Sequence, residues 1–313
     1  MNYDVSMKKK SLLLLLPLLL AGCSTELDPD IQMHVDGTLS IMTPTGAPAV
    51  VFSAFINDSK YEPNDKAQTI IAQMTNENVD MAVLPTNAGI QQIVNKGLKY
   101  KIASTITFGN LFIVSSGNDD DGVMDEDDNI YLFGKGNVPH KIFSSVYEIT
   151  VPEDHFKNGS TDIYQMIELG ESFEYALIAE PDLTTLQSKN KSVSVYANVQ
   201  TDYKAKFDGQ EIFQASIFVK NGLAKETVDT YLSEISRYAG ILKENPEVLN
   251  KIVEAESQAS TILGMNIESA ISSIKNGNTL GIGYKKAFEH KSEIDTFLSI
   301  FGMGATSEEI YYK

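Results

Sequence analysis

Val79-Asp-Met-Ala-Val-Leu-Pro85, followed by Thr86-Asn-Ala-Gly-Ile-Gln-Gln-Ile-Val-Asn-Lys-Gly97, decides the fold class. The first half is a short apolar run closed by a proline, which has no N–H to give a ladder and so ends a strand. The second half brings Ile90, Ile93 and Val94 onto one helical face, with Asn87 placed to cap the start and Gly97 to stop the end.

Outward from this unit the pattern recurs. Thr38-Leu-Ser-Ile-Met42 predicts a strand, and after Pro44-Thr-Gly46 residues 47–56 predict a helix. Between 65 and 76, Ala67, Ile70, Ile71 and Met74 stand at helical spacing. Strands are predicted at 100–107 and 111–115. After an acidic stretch, 117–128, the pattern restarts with a strand at 130–133 and a helix face of Val138, Ile142, Val146 and Ile149. Ser160 opens a helix through Ile163, Met166 and Ile167 that Gly170 ends, and 175–179 is a strand. A further strand covers 215–219. Beyond it the chain reads as helical over 225–242, 246–256, 257–263, 266–273 and 285–300. Strand–helix alternation implies a mainly parallel α/β sheet. The restart implies two lobes, 37–115 with 216–313 and 116–215. The crossings fall near 114–118 and 212–216, and two strands side by side there would make a hinge.

The N-terminus carries a different message. Lys8, Lys9 and Lys10 precede an apolar run, Leu12 to Leu20, and then Leu20-Ala21-Gly22-Cys23. A basic block, a short apolar run and small residues at a cut mark a secretory signal over 1–22, and the run is too short to span a bilayer. Met7, directly before the lysines, is the better start. The last four residues resemble the lipobox of bacterial lipoproteins, and the resemblance implies lipid attachment at Cys23. Residues 23–36, polar and acidic with Pro29 inside, read as a flexible tether. The protein is expected on the outer face of the cell membrane, and Ser24 favours a Gram-positive host.

Composition narrows the function. Cys23 is the only cysteine, so the mature body has neither disulfide nor thiol chemistry. A formal charge of −17 argues against nucleic acid as a partner. The one arginine, Arg237, is placed on a solvated helix face. No G-x-S-x-G occurs, and His34, His140, His155 and His290 lack metal-ligand spacing. The acidic stretch fits a calcium loop poorly. If Gly122 is its sixth position, Gly117 falls at the first and offers no side-chain oxygen. Neither cofactor nor metal is expected, and a monomer is.

The landmarks Thr43-Pro-Thr-Gly-Ala-Pro48, Val79-Asp-Met-Ala-Val-Leu84, Gly134-Lys-Gly-Asn-Val-Pro139, Ala179-Glu-Pro181, Ile217-Phe-Val-Lys220 and Phe301-Gly-Met-Gly304 occur in this order. The set resembles substrate-binding proteins of bacterial ABC importers, in the nitrate, sulfonate and thiamine-precursor group. That resemblance covers most of 38–313. It implies an α/β, two-lobed periplasmic-binding-protein fold of type II, a ligand cleft between the lobes, and a permease as partner.

In open α/β sheets ligands sit at the carboxyl ends of strands, near helix N-termini. Thr45, Gly46 and Ala47 have that place after the first strand, and Asn87 after the next. Gly136 and Asn137 offer a similar loop from the second lobe, as does Ser160. Glu180, at a strand end before Pro181, is either a buried carboxylate asking for a cationic or N–H-rich ligand or a rim residue holding its loop. With the only arginine placed elsewhere, the ligand is expected to be small, neutral or cationic, and heteroaromatic in form. A small oxyanion such as a sulfonate or nitrate is the alternative. A sensory or adhesive lipoprotein and a cleft enzyme are the alternatives of another class.

Overall fold

The structure is a computed structural model and describes residues 30–118, 121–189 and 193–313. The signal sequence, Cys23 and the first part of the tether lie outside the described residues.

The described strands are β1 (Ile41–Pro44), β2 (Tyr61–Asn64), β3 (Met81–Pro85), β4 (Tyr100–Thr107), β5 (Leu111–Ser115), β6 (Ile130–Phe133), β7 (Phe156–Lys157), β8 (Tyr175–Ala179), β9 (Ser194–Asn198), β10 (Ala215–Lys220) and β11 (Ile282–Lys286). They form a six-stranded sheet, ordered β11-β4-β10-β3-β1-β2, and a five-stranded sheet, ordered β7-β6-β8-β5-β9. β1, β2 and β3 are parallel, but β10 runs against β3 and β4, and β11 against β4. In the second sheet β6, β7 and β8 are parallel and β5 runs against β8 and β9. The sheets are therefore mixed, not mainly parallel. The reason is connectivity: β5 follows β4 of the other sheet directly, and β10 returns from β9 of the other sheet by way of the helix Val199–Lys206.

Three further expectations are corrected. Strand β5, grouped by sequence with the first unit, pairs in the second sheet, so the first crossing is only residues 108–110. Gly109 makes so short a crossing feasible with φ +88, a left-handed conformation that favours glycine. The predicted helix at 285–300 begins as β11 and becomes helical only at Lys291–Ser299. The helix predicted over 47–56 is a five-residue turn, Ala47–Val51, followed by a 3-10 turn, Ser53–Phe55.

The tether is shorter than its composition suggested. Ile31 and Met33 are buried in the apolar layer beneath the long helix Lys225–Glu244. Arg237 on that helix donates from Nη1 to the Asp30 carbonyl (2.9 Å) and from Nη2 to the Gln32 carbonyl (2.7 Å), and pairs with Glu234 at 2.8 Å. The lone arginine thus clamps the N-terminal segment to the body; it does not stand on a solvated face. Phe52, Phe55 and Tyr231 fill the same layer, with Phe55 and Tyr231 stacked at 6.1 Å. Among the described residues no helix is long and apolar enough to cross a membrane.

At the crossings the sheets are tied together. Gln214 donates its N–H to the Thr107 carbonyl (3.0 Å) and its side-chain amide to Asn110 Oδ1 (3.2 Å). Phe108 and Phe213 meet edge to face at 5.8 Å. Glu211 accepts from Lys285 of β11 (2.5 Å) and from Lys204 of the helix Val199–Lys206 (3.2 Å), one lysine on each side.

Candidate functional site

The carboxyl ends of β1 and β3 face those of β6 and β8 across a cleft of about 740 Å³. Thr45, Gly46, Ala47, Asn87, Asn137 and Glu180, all singled out by sequence, line it. Gly136 and Ser160 do not. Ser160 turns its hydroxyl to β8, accepting from the Ala179 N–H at 2.9 Å, and Gly136 donates its N–H to His140 Nδ1 at 2.9 Å.

Thr45-Gly46 is held by local geometry. Gly46 takes φ +90 and donates its N–H to the Leu263 carbonyl at 2.7 Å. That carbonyl ends the turn Ala259–Leu263, whose C-cap Gly264 (φ +66) lies so close that a Cβ would stand 2.6 Å from that of Thr45. The helix Thr86–Lys96 comes equally close to the sheet, because Gly89 leaves room for the Phe218 ring. Its first N–H, on Thr86, goes to the Gln214 carbonyl at 3.0 Å. Asn137 gives its N–H to the Gly134 carbonyl at 2.9 Å. Of the backbone donors on the cleft loops, those of Gly46, Thr86 and Asn137 are given to carbonyls inside the protein.

The opposite wall carries the charge. Glu180 is 6% exposed, and three donors meet its carboxylate: the Thr184 N–H (3.0 Å), the Thr184 hydroxyl (3.0 Å) and the Thr279 hydroxyl (2.8 Å). It caps the helix Asp182–Lys189 and reaches across to the loop before β11. Of the two readings offered by the sequence, this geometry matches the residue that holds its loop. Two hydroxyl pairs continue the seam, Thr184 with Ser273 (3.1 Å) and Thr185 with Ser269 (2.9 Å).

Asp182 is the residue that sequence reasoning missed. It lines the cleft, and Thr161 donates to one of its oxygens at 3.3 Å. Burial pushes its carboxyl pKa up from the usual 3.8, the Ser160 and Thr161 hydroxyls pull it down, and the Glu180 charge pushes it up further. The signal was in the sequence: two carboxylates flanking a proline at a strand end, Glu180-Pro181-Asp182.

Three side-chain oxygens of the lining residues lack partners among the described residues. The Thr107 hydroxyl oxygen, Gln214 Oε1 and Asn87 Oδ1 are buried without hydrogen-bond partners among the described residues, and all three residues line the cleft. Ile71, Val138, Met265 and the Tyr164 ring supply apolar surface. Among the described residues that line the cleft, Glu180 and Asp182 are charged and none is Lys, Arg or His. Lys189 reaches the wall at Tyr164, donating to its hydroxyl at 2.6 Å and standing 5.3 Å over its ring.

No family model and no curated protein matches this sequence. Solved structures do match. An ABC transporter protein from Parabacteroides distasonis superposes with a TM-score of 0.69 at 19% identity, covering 89% of this chain and 100% of that one. The periplasmic aliphatic sulphonate binding protein of Escherichia coli gives 0.59 at 10% identity, covering 88% and 92%. A Candida albicans protein described as having the generic periplasmic binding protein fold gives 0.52 at 11% identity, covering 87% and 92%. At such identities likeness speaks for the fold. The chain has the two-lobed periplasmic-binding-protein fold, as the substrate-binding proteins of ABC importers do.

Proposed function

We propose that this chain is a solute-binding protein of an ABC importer that captures a small neutral or cationic ligand between its lobes and hands it to a permease. The observation that carries the reading is the cleft where the two sheets face each other, lined by two carboxylates and no basic side chain among the described residues. A carboxylate in a partly dry site repels an anion and attracts a cation or an N–H donor. A heteroaromatic ring suits the remaining surface: Ile71, Val138, Met265 and Tyr164 can cover its faces while Asn87, Asn110 and Gln214 meet its edge. A sulfonate or nitrate would face Glu180 and Asp182 with no lysine or arginine to offset them.

The lobes divide, in this reading, at the two crossings, and ligand holds them closed by its preference for the closed state. Thr45, Ala47 and Asn87 supply contacts from one lobe, Asn137 and the Asp182 loop from the other. The protein works as an exported, monomeric lipoprotein anchored through Cys23, without catalysis. The lipobox supports the anchor, and the docked segment beginning at Asp30 leaves a short span after Cys23.

Native mass spectrometry of the protein purified from its own cells tests this. A bound small molecule, neutral or positively charged in solution, is expected. A protein that never co-purifies with a small molecule, and whose melting point no metabolite pool raises, would sink the solute-binding role. Cys23→Ser is expected to abolish partitioning into detergent phase; a variant that still partitions would sink the anchor.

A further inference from the structure

We infer that the cleft selects a small protonated nitrogen base, an amine or amidine on an apolar body, and that Asp182 is the residue that determines this charge specificity. The inference rests on the solute-binding reading and narrows its ligand class.

Three independent observations converge on it. The first is the division of labour between the two carboxylates. Glu180 has three protein donors, so its charge is met by a helix N-terminus and two hydroxyls. Asp182 lies two residues on, lines the cleft, and among the described residues is met by the hydroxyls of Ser160 and Thr161, the latter at a long 3.3 Å. A carboxylate takes about four hydrogen bonds, so Asp182 has acceptor capacity left over.

The second observation is the set of buried oxygens without partners. Thr107 is 2% exposed and its hydroxyl oxygen has no partner among the described residues; Gln214 Oε1 and Asn87 Oδ1 are in the same state. A buried polar atom without a partner is costly, and native proteins leave few of them. Two of these three are carbonyl oxygens, which accept only. They ask for N–H or O–H groups on the ligand. An amidinium or a protonated amine presents several N–H donors together with the positive charge that Asp182 lacks.

The third observation is that three N–H groups of the cleft loops are already engaged. The N–H groups of Gly46, Thr86 and Asn137 are donated to carbonyls within the protein. The desolvated state of Asp182 fits the same picture, because burial raises its pKa and a bound cation would relieve that cost.

The test uses three flat probes of nearly one shape: benzamidine (cation), benzamide (neutral) and benzoate (anion), titrated calorimetrically into the purified protein near pH 7. Benzamidine is expected to bind most tightly and benzoate least. Asp182→Asn is expected to weaken benzamidine by about ten- to a hundredfold, the worth of a hydrogen bond to a charged group, and to leave benzamide nearly unchanged. Asp182→Glu, which keeps the charge, should retain the benzamidine preference. Benzoate binding as well as benzamidine would overturn the inference without any variant being needed. Unchanged benzamidine affinity in a folded Asp182→Asn would overturn the role of Asp182. Binding of none of the three would overturn the ligand class. An anion recovered from the native protein would sink the inference and leave the solute-binding role standing, whereas no recovered ligand and no probe binding would sink both.

Discussion

The two walls of the cleft are built by the same device and differ in chemistry. In each, short parallel strands end at loops that open helices. On the first wall the loops are small and neutral, Thr45-Gly46-Ala47 and Thr86-Asn87-Ala88, and their leading N–H groups are consumed by Leu263 and Gln214. That wall sets shape. On the second wall the loop after β8 carries Glu180 and Asp182, and with them all the formal charge among the described lining residues. That wall sets charge. Likeness of fold to a sulphonate-binding protein is likeness of fold alone; under the proposed reading, the loop at residues 180–182 is where the ligand preference of this chain would be set.

The comparison breaks most severely where the walls are joined. Gly281 has φ +71, and a Cβ there would stand 2.2 Å from the Gly109 carbonyl oxygen, in the crossing between β4 and β5. Neither backbone is a flexible side-chain tip that can swing away. Gly281→Ala is expected to cost about 3–4 kcal/mol, from left-handed strain and overpacking together. Thermal melting checks it, and a melting point within a degree of wild type would mean that the crossing yields easily.

Next in size is Glu180. If this carboxylate belongs to the wall's frame, Glu180→Ala removes a helix cap and two hydroxyl bonds and is expected to cost about 2–3 kcal/mol. Because Thr279 lies across the cleft seam, the loss should be accompanied by faster amide exchange in both the helix Asp182–Lys189 and the loop before β11. Loosening confined to the helix would mean that Glu180 does not bridge the lobes.

These two residues also mark where sequence stops informing. The apolar runs of β3, β4, β5, β8 and β10 were plain, because buried strands need apolar residues whatever their neighbours are. β11 was not, since Leu280-Gly-Ile-Gly-Tyr-Lys-Lys286 looks like a loop until β4 supplies a partner edge for it. β2 was missed for the same kind of reason: Tyr61-Glu-Pro-Asn64 holds a proline and sits at the sheet edge, where a missing N–H costs nothing. At the site, the loops following strands announced themselves. What they would contact did not: Thr279 is 99 residues from Glu180, and the Arg237 clamp joins positions 207 residues apart. Such pairings exist only once the chain is folded, so the sequence left Glu180 open between ligand contact and rim residue, and did not single out Asp182.

The smallest expected effect has the opposite sign and separates the two carboxylates most sharply. Burial raises the Asp182 pKa, so folding disfavours its charged form. For a carboxylate shifted upward the cost to stability is in full force above the folded-state pKa. It disappears below the unfolded value near 3.8, where the group is protonated in both states. Asp182→Asn keeps the shape and removes the charge. Without ligand the variant should therefore melt slightly higher than wild type at pH 7, and the advantage should shrink as pH falls through the raised pKa. Glu180→Gln, by the same protocol, should melt lower than wild type at pH 7, because there the charge is hydrogen-bonded by the frame. Cation binding should move the other way with pH: it weakens as acid protonates Asp182. Matched melts of both variants between pH 4 and 8 would decide the matter, and a destabilised Asp182→Asn would make Asp182 part of the frame and leave the cleft without a charge of its own to spend on ligand.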